Sequence, residues 1–405
     1  MTVFDVRLIT EEERRATFDV LNRSLHGKRV ADDLWSRMGV SWPAAHKFGA
    51  FEGDAAIGIA SSFDTEVAVP GGRVLPVAAV DGVGVRADRT RRGVLTALMA
   101  AQLAEVAERG LPLAMLHASE PTIYGRFGYG SAALGKTVRV SRPAARLHER
   151  VPVAGEVRLL GPEEAVKEIP AVYRRIGLHR PGMMARPEAW WPAGHERHLV
   201  PEERYTVAVH SGPDGVDGFV TYETIGRRSL DSPDEGAVLN VYDLHAAGPA
   251  ALAGLWRFLL SVDLVSAVHA RHRPVDEPLA VMLTDHRHAS TLSVEDDLWL
   301  RLVDVEAALA ARGYRAAEPV VVAVADRQLA SNSGQYEVGP DGARRTSAEP
   351  DLVLEVDTLG MLYLGQWSAT ALAQAGRIEV RDPAALTRAD ELFTTVTAPW
   401  NGTHF

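Results

Sequence analysis

The stretch Ala79–Ala100, Ala-Val-Asp-Gly-Val-Gly-Val-Arg-Ala-Asp-Arg-Thr-Arg-Arg-Gly-Val-Leu-Thr-Ala-Leu-Met-Ala, constrains the chain more than any other. Residues Ala78–Val85 read as the end of a strand. Val94, Leu95, Leu98, Met99, Leu103 and Val106 recur at helical spacing and predict a helix to about Glu108. Between them lies a turn carrying Arg89, Arg91 and Arg92 and closed by Gly93. A helix start offers free N–H groups and the positive end of the dipole. A glycine there lets oxygen atoms approach the backbone closely. Strand, basic glycine turn and helix start together are the chemistry of a pyrophosphate cradle. Neither Gly-x-x-x-x-Gly-Lys-Ser/Thr nor Gly-x-Gly-x-x-Gly occurs at this turn, which excludes a P-loop and a dinucleotide fingerprint there.

A chain of 405 residues is too long for one core and implies two or three domains. No apolar run approaches the ~20 residues of a membrane span. The start, Met-Thr-Val-Phe-Asp-Val-Arg, has no basic region leading into an apolar one, so a cytoplasmic location is expected. With no cysteine, disulfides, thiolate nucleophiles and Cys-ligated metals are excluded. A net charge of −10 argues against nucleic acid and suits a cationic partner.

A second stretch follows an apolar strand at Leu113–Leu116: Leu116-His-Ala-Ser-Glu-Pro-Thr-Ile-Tyr-Gly-Arg-Phe-Gly-Tyr-Gly130. It sets Tyr124, with Tyr129 as its rival, among glycines beside His117. The Arg-Arg-Gly turn and this Tyr-Gly run together resemble the GNAT N-acetyltransferase superfamily, and within it the Eis family. The resemblance implies an α/β (α+β) chain of two tandem GNAT folds, the second without a cofactor site, then a sterol-carrier-protein-like domain. The expected divisions are 1–143, 144–290 and 291–405.

The residue patterns fit that order. Thr10–Glu13 predicts a capping box opening a helix to about Leu25, and Ala31–Met38 a short helix with Trp35. Phe48–Phe51 with Ala55–Phe63, and Glu66–Pro70 with Arg73–Ala78, read as two hairpins. Ala132–Val140 reads as a further strand. Beyond Ser141, Tyr205–His210, Asp217–Glu223, Val238–Leu244 and Pro249–Val262 echo the first hairpin and its strand-then-helix. The echo's turn, His245-Ala-Ala-Gly-Pro249, has no arginine cluster. His269-x-x-His272 and His286-x-His288 match no metal-ligand spacing, and no metal is expected. In the last part Leu298–Val305 starts as a strand and Val305–Ala311 is a helix ended by Gly313. Leu359–Gly365 with Ala375–Ile378 carries the sterol-carrier resemblance, and its apolar stripe reads as core.

By resemblance, acetyl-CoA as co-substrate would lie against the backbone of Val83, Gly84 and Val85. Its pyrophosphate would meet Arg91, Arg92, Gly93, Val94, Leu95 and Thr96, and Ser119 and Glu120 would line the other wall. The superfamily's Gln/Arg-x-x-Gly-x-Gly/Ala pattern reads Thr90-Arg91-Arg92-Gly93-Val94-Leu95 here, departing at its first and last positions. Tyr124 would protonate the departing thiolate. The carboxylate of Phe405, the last residue, would take the amine proton. Trp35 and His404 would border the acceptor, a protonated His404 weakening its pull on cations. The acceptor would be a cationic amine, aminoglycoside-like, and assembly a homohexamer. The alternatives are a polyamine or protein lysine as acceptor, or a non-catalytic CoA- or lipid-binding protein.

Overall fold

The computed structural model describes residues 4–32, 35–36, 42, 45–200, 204–226 and 236–405. The short helix expected over Ala31–Met38 lies partly outside them; Trp35 and Ser36 are described and helical.

In chain order, β1 (Asp5–Leu8), α1 (Arg14–Ser24), β2 (Lys47–Glu52), β3 (Ala55–Val69), β4 (Arg73–Val85), α2 (Val94–Glu108), β5 (Leu113–Leu116), α3 (Pro121–Tyr124) and β6 (Gly130–Ser141) come first. Then follow β7 (Glu156–Leu160), α4 (Pro162–Ile176), β8 (Thr206–Gly212), β9 (Gly215–Ile225), β10 (Ala237–Ala246), α5 (Pro249–Ser261) and β11 (Val265–Pro274). These elements and β12 (Ala289–Leu302) build one 12-stranded sheet, ordered β1-β2-β3-β4-β5-β12-β6-β11-β10-β9-β8-β7. α6 (Val305–Ala311), β13 (Val320–Ala325), β14 (Gly334–Gly339), β15 (Gly342–Thr346), β16 (Leu352–Glu355), α7 (Val356–Tyr363), α8 (Ala369–Gln374), β17 (Ile378–Val380) and α9 (Ala384–Phe393) form the last unit. Its five-stranded sheet runs β15-β14-β13-β16-β17.

The predicted hairpins fuse. Ala55–Phe63 and Glu66–Val69 are one strand, β3, paired with the single strand β4 from Val69↔Arg73 to Gly58↔Val85. The echo is real at the level of elements: β8, β9, β10 and α5 fall where the repeat predicts them. The expected start of the third unit at residue 291 falls inside β12. That strand lies between β5 and β6, pairing Trp299–Leu302 with Leu116–Leu113 and residues 289–300 with β6.

Period-2 alternation divides the core. From β4 and β5, Val77, Ala79, Leu113 and Met115 enter a core shared with the last unit. Ala78, Val80, Ala114 and Leu116 enter the opposite one, under Met99, Leu103 and Val106 of α2. Leu359, Leu362, Tyr363 and Leu364 fill the shared core, so the apolar stripe of the last unit is packed.

The last unit docks through glycines. A Cβ on Gly130 would stand 2.0 Å from the Asp357 carbonyl, and one on Gly360 2.6 Å from that of Leu300. Gly313 works likewise: it does not cap α6 but abuts Gly71, where a Cβ would meet the Gly71 Cα at 2.6 Å. Arg301, fully buried on β12, reaches Asp326 with two bonds of 2.8 and 2.7 Å and donates from Nε to the Phe127 carbonyl at 3.0 Å. Arg301→Ala strands Asp326 in the core, and a loss of about 3–5 kcal/mol is expected. Denaturant unfolding measures it, and Arg301→Met with Asp326→Leu should recover most of that loss.

Candidate active site

β4 and β5 pair in parallel from Val77↔Leu113 to Val80↔Leu116 and then part. Asp81 bulges out of the β3 ladder, which shifts register between Ser61↔Gly82 and Ser62↔Val80. Among the described residues, Val83, Gly84 and Val85 therefore have a strand partner on one edge only, β3. Gly82 and Gly84 are glycine because α1 crosses them closely: a Cβ would stand 2.6 Å from Leu21 Cδ2 and 2.2 Å from Ser24 Oγ. Val83 and Val85 pack on the other side with Val94 and Leu98 of α2.

The turn ahead of α2 is open. Gly93 has φ 85°, a left-handed conformation, and a Cβ there would meet nothing within 4 Å among the described residues. Arg91 is left-handed too, at φ 60°. Arg91, Arg92 and Thr96 are exposed, whereas Val94 is buried and Leu95 partly so. Arg89 is placed differently. Its Nε lies 2.8 Å from Glu52 and its Nη1 2.8 Å from Asp88, so its charge is matched within the fold. The helix entrance, unblocked and flanked by two exposed cations, has the donor set a pyrophosphate requires.

Tyr124 ends α3 and is buried with Val80, Leu116 and Phe127, with Val83 and Leu95 partly buried beside them. It therefore stands where β4 and β5 part. Burial raises its pKa above the ordinary phenol value, against a hydrogen bond with Ser119 and with the nearby Glu120 charge adding to the rise. The phenol stays a proton donor through neutral pH. Tyr129, 6.1 Å away ring to ring, is fully buried and its hydroxyl has no hydrogen-bond partner among the described residues. Ser119 and Glu120 are exposed just before α3. Trp35 lies 5.0 Å from Phe18 of α1 and 6.3 Å from Trp42, in an aromatic group bordering that helix.

The chain end returns to the same place. The Phe405 ring lies 4.7 Å from His117, the residue after β5, and 5.9 Å from Phe63 of β3. His117 Nε2 donates to the Thr403 carbonyl at 2.9 Å, and Trp190 Nε1 to that of His404 at 3.1 Å. The phenol and the terminal residue thus flank the end of β5.

Family models for the acetyltransferase (GNAT) domain match residues 5–132 and 182–302, and one for the sterol carrier protein domain matches 305–402. An uncharacterized N-acetyltransferase of Streptomyces avermitilis is 39% identical, with 98% of each chain covered. The N-acetyltransferase Eis of Mycobacterium bovis is 34% identical over 86% of this chain and 85% of its own. The crystal structure of Eis1 from Mycobacterium abscessus superposes with a TM-score of 0.90 at 36% identity, with all of both chains covered. The chain belongs to the Eis family of GNAT N-acetyltransferases.

This Eis enzyme accordingly uses acetyl-CoA as co-substrate, and the open Arg91–Gly93 turn fits its diphosphate. Among the described residues no helix is long and apolar enough to cross a membrane, and no three His, Asp or Glu groups gather as metal ligands.

One polar cluster escapes sequence reasoning. Arg186, Asp243 and His245 form a buried cluster against the chain end, Arg186 donating to Asp243 at 2.7 and 3.1 Å. Burial works against the Asp243 carboxylate, but Arg186 and His245 outweigh it and hold its pKa well below the usual range. The available signal was Asp243 and His245 at i, i+2, two polar side chains on one face of a buried strand.

His404 does not weaken the pull on cations at neutral pH. Although its ring keeps an exposed edge, burial, His117 and His272 push its pKa down to about 4. Burial, above all, pushes His117 down to about 4 as well. Free imidazoles take up a proton near pH ~6.5. The docked chain end thus excludes protons that the released end would bind, so docking is strongest above ~6.5 and weakens as pH falls toward about 4. Amide exchange of Gly402–Phe405, corrected for its intrinsic rate, should rise between pH 6.5 and 4.5. His117→Gln should blunt the rise, and flat protection over that range contradicts the assignment.

Proposed function

We propose that this enzyme transfers acetyl from acetyl-CoA, in one step, to primary amines of a cationic aminoglycoside-like molecule, at more than one position. The reading is supported by the parting of β4 and β5, by Tyr124 packed with Leu116 at the end of β5, and by the Phe405 ring on His117, the residue that follows β5. In this reading the backbone of Val83, Gly84 and Val85 holds and polarises the thioester. Arg91, Arg92, Gly93, Val94, Leu95 and Thr96 take the pyrophosphate, and Ser119 and Glu120 form the far wall. Trp35 and His404 border the acceptor.

The acceptor ammonium gives its proton to the Phe405 carboxylate, directly or through one water. An unperturbed α-carboxyl, at ~3.5, is a weak base at neutral pH. The amine nitrogen attacks the carbonyl carbon, the carbon–sulfur bond breaks, the Tyr124 proton goes to sulfur, and the nitrogen's second proton passes to water, from which the Tyr124 oxygen is reprotonated. A net charge of −10, with His404 neutral, favours a cationic acceptor. A cytoplasmic homohexamer completes the proposal on family grounds, and light scattering on the purified enzyme checks the assembly.

Tyr124→Phe should lower kcat by about 10²–10⁴-fold with little change in KM for acetyl-CoA. Deleting Phe405 should lower kcat most near neutral pH and less as pH rises and free amine becomes plentiful. Full activity in the Tyr124→Phe enzyme removes the phenol from the mechanism. A tenfold higher kcat/KM for polyamines than for aminoglycosides would replace the acceptor class.

A further inference from the structure

The second GNAT unit repeats the parting of strands. β10 and β11 pair in parallel as far as Val241↔Ala270. Tyr242 bulges from the β9 ladder, which resumes at Asp243↔Thr221. Beyond the bulge, Asp243–Ala246 pair only with β9 among the described residues, as Val83–Val85 pair only with β3. No basic turn follows. Ala247 and Gly248 lead straight into α5, whose first residue, Pro249, has no N–H to offer an anion.

This second notch is filled by the chain's own end. Trp400 lies 4.9 Å from the His245 ring of β10 and 5.0 Å from the Arg273 guanidinium of β11, and its Nε1 donates to the His272 carbonyl at 2.5 Å. It is therefore lodged where the two strands part. Arg186 holds the next residues, donating from Nη2 to the Gly402 carbonyl at 3.2 Å and from Nε to Thr403 Oγ1 at 3.1 Å. Its own position is set by the two bonds to Asp243. On the far side the Asn401 N–H donates to Asp297 Oδ2 at 2.6 Å.

Chain ends fray unless tied. Here Trp400, Asn401 and Thr403 are at most 5% exposed, and only His404 and Phe405 extend beyond the grip. A residue spans roughly 3.3–3.6 Å, so a displacement of Thr403 passes to the terminal carboxylate two residues on, opposed by the Trp190 bond to His404 and the ring contacts of Phe405. A shift of about 1 Å at a reacting group can cost about 100-fold in rate.

We propose that the second GNAT unit is a positioning device: its notch is the receptor for Trp400–Thr403, and Arg186, held by Asp243, is the positioning residue that places the Phe405 carboxylate in the first unit's site. This rests on the carboxylate's role as proton acceptor. It explains why the duplicated fold keeps its parted strands while having no cofactor cradle.

The full-length enzyme tests it with Arg186→Gln, Arg186→Lys and Thr403→Val. Thr403→Val breaks the same contact from the tail side and leaves the Arg186–Asp243 pair in place, so it reports even where Arg186→Gln does not fold. The first readout is release of Phe405 by a carboxypeptidase under native conditions, followed by mass spectrometry. The second is the split of kcat and KM. Arg186→Gln should speed release at least about tenfold and lower kcat by about 10–100-fold, with KM for acetyl-CoA unchanged. Thr403→Val should show about a third to a tenth of each effect, and Arg186→Lys should restore part of both. In an enzyme already lacking Phe405, Arg186→Gln should cost less than about twofold more. An equal loss with and without Phe405 means a merely structural role and overturns the proposal, as does unchanged release. Should deletion of Phe405 alone leave kcat intact, the proton-acceptor reading fails and the positioning role falls with it. The release assay still shows whether the notch grips the tail.

Discussion

β12 is the constraint on which the rest depends. It is laid between β5 and β6, and it turns two sheets that could have closed separately into one. Leu298, Leu300 and Leu302 enter the core shared with the last unit. Asp297 receives the Asn401 N–H, and Arg301 ties Asp326 of the last unit to the Phe127 carbonyl beside Tyr124. One strand thus anchors the end of β5, the loop carrying the phenol, the third unit and the returning chain end. The proposed active site lies beside that strand.

Charge is used in two ways. Arg186–Asp243, Arg301–Asp326 and Arg273–Glu277 are buried pairs. Such pairs lose much of their attraction to desolvation, and apolar replacements are often as stable. What they supply is direction: a planar fork fixed on one carboxylate presents its remaining N–H groups at defined points. Arg186 turns them to Gly402 and Thr403, and Arg301 to Phe127 and Leu302. Arg91 and Arg92 differ in exposure: both reach solvent at the turn where Arg91 and Gly93 are left-handed. Arg89, similar in sequence context, is matched by Glu52 and Asp88.

Local chemistry was legible in the sequence. Helical spacing from Val94 to Val106 marked α2, and Gly93 marked an open helix entrance. The Tyr-Gly run drew attention as a catalytic signature, but its glycines have a second cause. Gly128 and Gly130 make room for Arg301 and α7, where any Cβ would collide. Leu116–Gly130, which carried part of the Eis resemblance, and Leu359–Gly365, which carried the sterol-carrier one, meet at Gly130 and Gly360. Sequence spacing does not show this, because the complementarity joins residues more than two hundred positions apart. The place of β12 was hidden for the same reason. Its alternation reads as a strand, yet nothing local distinguishes pairing with β13 from insertion beside β5. The grip on the chain end was hidden because Arg186, Asp243 and Asp297 lie in three separate segments.

A duplicated fold that no longer cradles a cofactor faces a physical difficulty. Where β10 and β11 part, backbone groups on the inner edges lose their ladder partners, and buried unpaired groups are costly. In the first unit the co-substrate can answer that need when it binds. In the second unit the His272 carbonyl accepts the Trp400 indole N–H, and the Leu244 carbonyl accepts from Arg273 at 2.7 Å. The tail and the strands' own side chains thus occupy the gap. The gap could equally have been closed by extending the pairing of β10 with β11, a simpler solution for stability alone. Retaining the opening and lodging the chain end in it makes sense where the end itself has a task in the neighbouring notch, and the ring of Phe405 against His117 is where that task would be performed.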